Sequence, residues 1–222
     1  MLRGLRSEDG ALVDVAIYAA VFVSVFAIVD PVGTLPFFVT LTDGFTPEDR
    51  AVVLRRAVFV LGGILGLFAL VGRFLFAAFG FTLASFEIAG GILLFIVAYD
   101  MLSGEIGRTK LSSEDREEAI ARRDEISVVP LGIPLLAGPG AISTVMIYEG
   151  NAGNDPFMIL ATFLAIGVTT AATFLILHYG QRILRSLGRV GVMAMTRVLG
   201  LLLAAVGVQF VVLGIEGVLA HL

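Results

Sequence analysis

VAIYAAVFVSVFAIVDPVGTLPFFVTLT, residues 15–42, is 28 residues of almost unbroken apolar chain with Asp30-Pro31-Val32-Gly33 set near its middle. As one straight helix it would reach roughly 42 Å, against a bilayer hydrocarbon core of about 30 Å. An aspartate, a proline and a glycine together are costly at that depth, which argues against plain anchor material. The segment reads as a broken span made of two half-helices. Asp30 is placed to cap the second half, its carboxylate accepting from backbone N–H groups just ahead, and Pro31 suits the first helical position. A half-helix that starts inside the membrane turns unpaired N–H groups and the positive end of its dipole toward the break, as discontinuous helices do in secondary transporters. The competing reading is a structural proline kink with Asp30 as a silent cap.

The rest of the chain agrees with a membrane setting. Of 222 residues, 58% are hydrophobic and only 15% charged, and the mean hydropathy is +0.98. That is too little polar surface to coat a soluble globule, so the composition is that of an integral membrane protein. The net charge of −4 and the absence of a basic stripe argue against a nucleic-acid partner. With no cysteine, disulfides, thiolate metal sites and cysteine nucleophiles are excluded. The first apolar run is too long for a cleaved signal peptide.

Hydropathy predicts six spans, near 13–41, 51–78, 83–102, 126–147, 156–179 and 191–219. Thr46-Pro47-Glu48-Asp49 and Asp155-Pro156 carry helix-start chemistry. The one sizeable polar segment, 103–125, has both charge signs and reads as a solvated loop, with Ser112-Ser113-Glu114-Asp115 opening a short surface helix. It divides the chain into a first three-helix unit, 1–102, and a second, 126–222. Eleven basic residues fall on the side of that loop and three, Arg3, Arg6 and Arg73, on the other, Arg197 being left near a span start. The positive-inside tendency then makes the loop cytoplasmic and puts both termini outside the cytoplasm, in a multi-pass protein of the cytoplasmic (inner) membrane.

The two units repeat. Ala137-Gly138-Pro139-Gly140-Ala141 stands in the fourth span where Asp30-Pro31-Val32-Gly33 stands in the first, and Glu87-Ile88-Ala89-Gly90 parallels Arg197-Val198-Leu199-Gly200. Because each unit has three spans, the second enters from the opposite face. The expected fold is all-α: six transmembrane helices as two inverted three-helix repeats, with broken first and fourth helices.

Three strings carry a resemblance to a known family: Asp30-Pro31-Val32-Gly33-Thr34-Leu35-Pro36, Ala89-Gly90-Gly91-Ile92-Leu93-Leu94-Phe95, and residues 130–144, PLGIPLLAGPGAIST. They closely resemble the MarC family of six-span membrane proteins, and the resemblance covers nearly the whole chain. It implies transport of small neutral amino acids of the glycine and alanine class. The first motif commonly has Asn where this chain has Asp30, which alters coupling or exchanges one good cap for another.

Residues and resemblance meet at the two breaks. If both half-helices open into a shared cavity, the backbone around Asp30, Pro31, Gly33, Gly138, Pro139 and Gly140 can hold a carboxylate, and freed carbonyls can receive an ammonium. Pro36 leaves the carbonyl of Val32 without its helical donor. Thr34, Ser143 and Thr144 lie within a turn or two of the breaks and offer hydroxyls, which in membrane helices often bond only to their own backbone. Gln209, deep in the sixth span, is a further substrate-binding candidate or a helix–helix hydrogen bond. Asp30, by its depth, is also the candidate for ion coupling, to a proton or sodium. Glu87, Asp100 and Arg197 sit near span ends and read as interfacial. The glycine clusters at 62–66 and 90–91 read as close-packing surfaces.

No enzyme, metal or cofactor motif is present: there is no His-Glu-x-x-His, Gly-x-Ser-x-Gly or phosphate loop. The expected function is a carrier working by alternating access. The alternatives are a channel or an exporter of another small solute. No helix face compels self-association.

Overall fold

The computed structural model describes residues 8–103, 123–152, 155–186 and 188–220. The surface helix predicted at 112–115 lies outside them, as does most of the charged loop. Every element among the described residues is helical: α1 (Glu8–Val29), α2 (Pro31–Leu41), α3 (Pro47–Phe79), α4 (Leu83–Ser103), a short α5 (123–128), α6 (Pro139–Ala152), α7 (Pro156–Arg185) and α8 (Gly188–Leu219). Five segments are long and apolar enough to cross a membrane, and the bent pair of α5 with its following turns and α6 makes a sixth. The chain is an all-α integral membrane protein.

Helix boundaries follow local chemistry. Thr46 accepts from the Asp49 N–H at 3.1 Å, Pro47 holds the first position of α3, and Gly80, at φ 70°, closes α3 in a left-handed conformation that glycine adopts without steric cost. Asp155 caps α7 through the Phe157 N–H at 3.0 Å. With these starts, α3 runs for 33 residues and α7 for 30, each longer than the predicted span. The α2 C-terminus is held from outside: the buried Arg50 donates Nη2 to the carbonyls of Phe45 at 2.9 Å and Thr42 at 3.2 Å. A cation on the carbonyl-rich end of a half-helix is the favourable polarity. Arg50→Met is expected to cost about 2–3 kcal/mol, read as a melting-temperature drop of about 4–12 °C in detergent. The same change at exposed Arg55 should stay within about 0.5 kcal/mol.

The core lies where α1, α2, α3, α5, α6 and α7 meet. Val21, Val25 and Val29 form a one-sided stripe on α1, Leu54, Leu61 and Leu65 do the same on α3, and Phe37 and Phe38 fill the space beside α2. The opposite faces, among them Phe59, Leu70 and Phe74 of α3 and Leu160 and Leu164 of α7, are exposed, as surfaces meant for lipid are. Outside this core, α4 and α8 run antiparallel in close contact. A side chain at Gly207 would strike the Gly91 carbonyl, one at Gly214 the Ala84 carbonyl, and one at Gly200 the Met101 Cβ. On α8 these glycines recur every seven residues, and they stand against Ala84, Gly91 and Ala98, spaced likewise on α4, which keeps one small-residue seam facing the other.

On the side of the charged loop, ion pairs tie α5 to α3. Arg56 pairs with Asp124, and Arg123 reaches Asp49 at 3.2 Å. These groups are partly exposed, so they fix the place of α5 more than they stabilise it.

Candidate functional site

At the first break, Asp30 adopts φ 43° and ψ 66°, a left-handed conformation that only Asn and Asp among residues with a side chain visit with any ease. Its Oδ1 accepts the Gly33 N–H at 3.0 Å. In an unbroken helix that N–H would serve the carbonyl of Val29, and Pro31 has no N–H for that of Ala27. The predicted cap and restart are therefore both present. The span nevertheless continues in one course, from Tyr18 to Leu41.

The second break is larger. The axes on its two sides differ by 58°. The reading of 126–147 as two half-helices needs correction on its first side, because regular helix stops at 128 and the chain then passes through wide turns. The Leu135 N–H donates to the Pro130 carbonyl at 3.2 Å and the Ala137 N–H to the Gly132 carbonyl at 2.9 Å, with Ile133 extended between them. The cause is the pair Pro130 and Pro134, neither of which can donate to a regular helix. Gly138 admits no side chain because the Pro134 carbonyl occupies that place. Helix α6 then opens at Pro139, with the Ile142 N–H closing on the Gly138 carbonyl at 3.0 Å. Gly138 has no side chain to cap it, so the N–H groups of Gly140 and Ala141 are the free donors of this terminus.

Both breaks face one cavity of about 240 Å³. Asp30, Gly33 and Thr34 line it from the first break, Pro134, Gly138, Pro139 and Gly140 from the second, and Leu94 of α4 with Leu203 and Phe210 of α8 complete the wall. Six of the expected site residues, Asp30, Gly33, Thr34, Gly138, Pro139 and Gly140, are thus brought together. The others are not. Pro31 is buried beneath the break without lining the cavity. Thr34 lines it, but its hydroxyl donates to the Asp30 carbonyl at 3.0 Å, the local bonding common for Thr in membrane helices. Ser143 is buried one turn into α6, beside Glu87 of α4, and Thr144 is half-buried; neither lines the cavity.

Gln209 is placed differently from expectation. It is exposed on α8 and does not line the cavity, whereas the adjacent Phe210 does. Gly207 faces α4, and two residues further on is a rotation of about 200°, to the far side of the helix. Because α8 is apolar around most of its circumference, depth could be read from sequence but facing could not. The same blankness hid Phe210 and Leu203. Gly90 was legible only as a packing surface: its missing side chain leaves the notch that seats the Pro139 ring, and so holds the second break against α4.

Comparison with known proteins agrees with the motifs. The model of the MarC family, integral membrane proteins, matches residues 15–219. A UPF0056 membrane protein of Pyrococcus abyssi is 39% identical over 200 residues, 90% of this chain and 94% of its own length. YvbG of Bacillus subtilis is 35% identical, covering 89% of this chain and 93% of itself, and YhcE of Escherichia coli is 35% identical, covering 92% and 94%. No solved structure matches.

Proposed function

The chain belongs to the MarC family of integral membrane proteins, and from that premise we propose that it is a secondary transporter of small neutral amino acids, of the glycine and alanine class. The observation that carries this reading is the meeting of two helix breaks, one from each half of the chain, on one cavity. Its volume of about 240 Å³ lies below the roughly 300–1,000 Å³ usual for drug-sized ligands. The glycines at both breaks leave this space open, since a side chain at Gly140 would reach the Phe210 ring of its wall, and they bring backbone within reach of a small solute.

In this mechanism the substrate carboxylate is held by the Gly140 and Ala141 N–H groups at the start of α6, where no side chain competes and the helix dipole is favourable. The two halves act as inverted repeats that rock about the bound solute. Supporting features are the matching starts of α2 and α6 at Pro31 and Pro139, those of α3 and α7 at Pro47 and Pro156, and the antiparallel pairing of α4 with α8. The basic ends of α3 and α7, with Arg55, Arg56 and Arg182, face the cytoplasm, which leaves both termini outside it in the inner membrane. A proton or sodium gradient drives uptake, and no cofactor or bond-making chemistry is required.

The test is uptake of labelled glycine and alanine by the purified protein in proteoliposomes, with proton and sodium gradients imposed independently. A saturable flux, stimulated by amino acid on the opposite side, is the expected result. A conductance far above carrier turnover would make the protein a channel, and absence of flux in folded protein would overturn the substrate assignment.

A further inference from the structure

We propose that Asp30 is the cation-binding group of the cavity and takes the ammonium of the transported solute, so that the site accepts only solutes bearing a positively charged amino group. This rests on the transport reading above and adds its recognition chemistry. Among the residues lining the cavity, Asp30 is the one titratable side chain and Thr34 the one other polar side chain; Lys, Arg and His do not line it. Among the described residues, Asp30 enters no salt bridge.

The carboxylate is half engaged. Oδ1 is held by the Gly33 N–H, while Oδ2 lies over the Gly33 Cα, where it excludes any side chain. That capping contact uses an N–H group of α2 that would otherwise be offered to an anion, so the first break presents negative charge to the cavity. The second break presents free N–H donors. The two ends of the site therefore have opposite polarity, and a zwitterion fits in one orientation: ammonium at Asp30, carboxylate toward α6. Asp30 is exposed, and the other side chains of the cavity lining, Thr34 apart, are apolar and offer it no counter-charge, so the solute's ammonium contributes an attraction that an uncharged isostere cannot. A carboxylate without an amino group meets repulsion at Asp30 and leaves that charge unmatched.

A free sodium ion could supply the same positive charge, and the experiment separates the two sources. Glycine uptake by the full-length protein in proteoliposomes is measured for wild type and Asp30→Asn, with glycinamide, ethanolamine, acetate and N-acetylglycine as competitors, in sodium and in choline media. Asn preserves the cap and tolerates the left-handed backbone, and Asp30→Gly is a second uncharged variant that keeps the left-handed backbone without strain. The expected result is a KM for glycine raised at least about tenfold in both variants, in sodium and choline alike. Glycinamide and ethanolamine should inhibit the wild type and lose that inhibition in the variants, while acetate and N-acetylglycine inhibit neither. An unchanged KM with an unchanged competitor pattern would overturn the proposal. So would a defect confined to sodium medium, which would make the ion the ligand. If wild type moves no amino acid, the transport reading fails by itself. Thermal stabilisation of detergent-solubilised wild type by glycinamide, absent in Asp30→Asn, then still decides the role of Asp30, and equal stabilisation of both would refute it.

Discussion

Gly140→Val should reduce glycine uptake by at least about a hundredfold while the protein still inserts and folds. A Cβ at Gly140 would run into the Phe210 ring and approach Ile28 Cγ2 to 3.0 Å. Both obstacles are the outer parts of side chains, so the fold can absorb the change by turning the ring. The ring can turn only at the expense of the cavity, whose wall it forms. The branched side chain would also stand beside the N–H groups assigned to the substrate carboxylate. Gly140→Ala should give an intermediate loss of about tenfold, because one methyl displaces the ring less. Uptake rates in proteoliposomes, normalised to protein that elutes as a single species and melts cooperatively, check both values. Wild-type uptake in folded Gly140→Val would refute the site, whatever the substrate. Gly138→Ala behaves differently: its obstacle is the Pro134 backbone carbonyl, so loss of folded protein is expected along with loss of uptake.

The largest effect on stability should come from the seam between α4 and α8. In Gly207→Leu the new Cβ would lie 2.7 Å from the Gly91 carbonyl oxygen and 3.0 Å from the Phe95 nitrogen, both backbone atoms that cannot rotate away. The helices must separate, and within lipid it is close packing, not a hydrophobic drive, that holds them together. A loss of at least about 3 kcal/mol is expected, corresponding to a fall of about 6–12 °C in the melting temperature. Gly66→Ala is the control: nothing lies within 4 Å of that added Cβ, and the better helix propensity of alanine should leave stability unchanged or raise it by up to about 1 kcal/mol. Separation of α4 from α8 also displaces Leu94, Leu203 and Phe210 from the cavity wall, so uptake by Gly207→Leu should fall even at temperatures where it remains folded.

How much of this was legible in the chain varied with the kind of feature. Asp30 and Pro31 could be read directly, because a cap and a first-turn proline act within one turn of helix and need no partner from elsewhere. Gly138 and Pro139 were equally plain as a restart. The wide turns before them were not foreseen, although Pro130 and Pro134 carry the cause in the sequence: two missing N–H donors four residues apart. Ser143 and Thr144 were placed near the site by distance along the chain alone, and rotation around α6 took them out of it. Gln209 lies off the cavity wall for the same reason on α8, where the surrounding residues carry no periodic signal to fix a face.

The sequence by itself determined the membrane setting, the all-helical fold and the two places where spans are interrupted. Each of these depends on hydropathy or on backbone chemistry within a few neighbouring residues, and such terms are local. The tertiary structure alone decided that both interruptions open on one cavity, that Gly90 seats Pro139, and that Phe210 rather than Gln209 completes the wall. Those facts depend on the rotation of each helix about its axis. In a chain apolar on nearly every face, that rotation is set by which small residues let two backbones approach, and the choice is made only when the partner helix is in place.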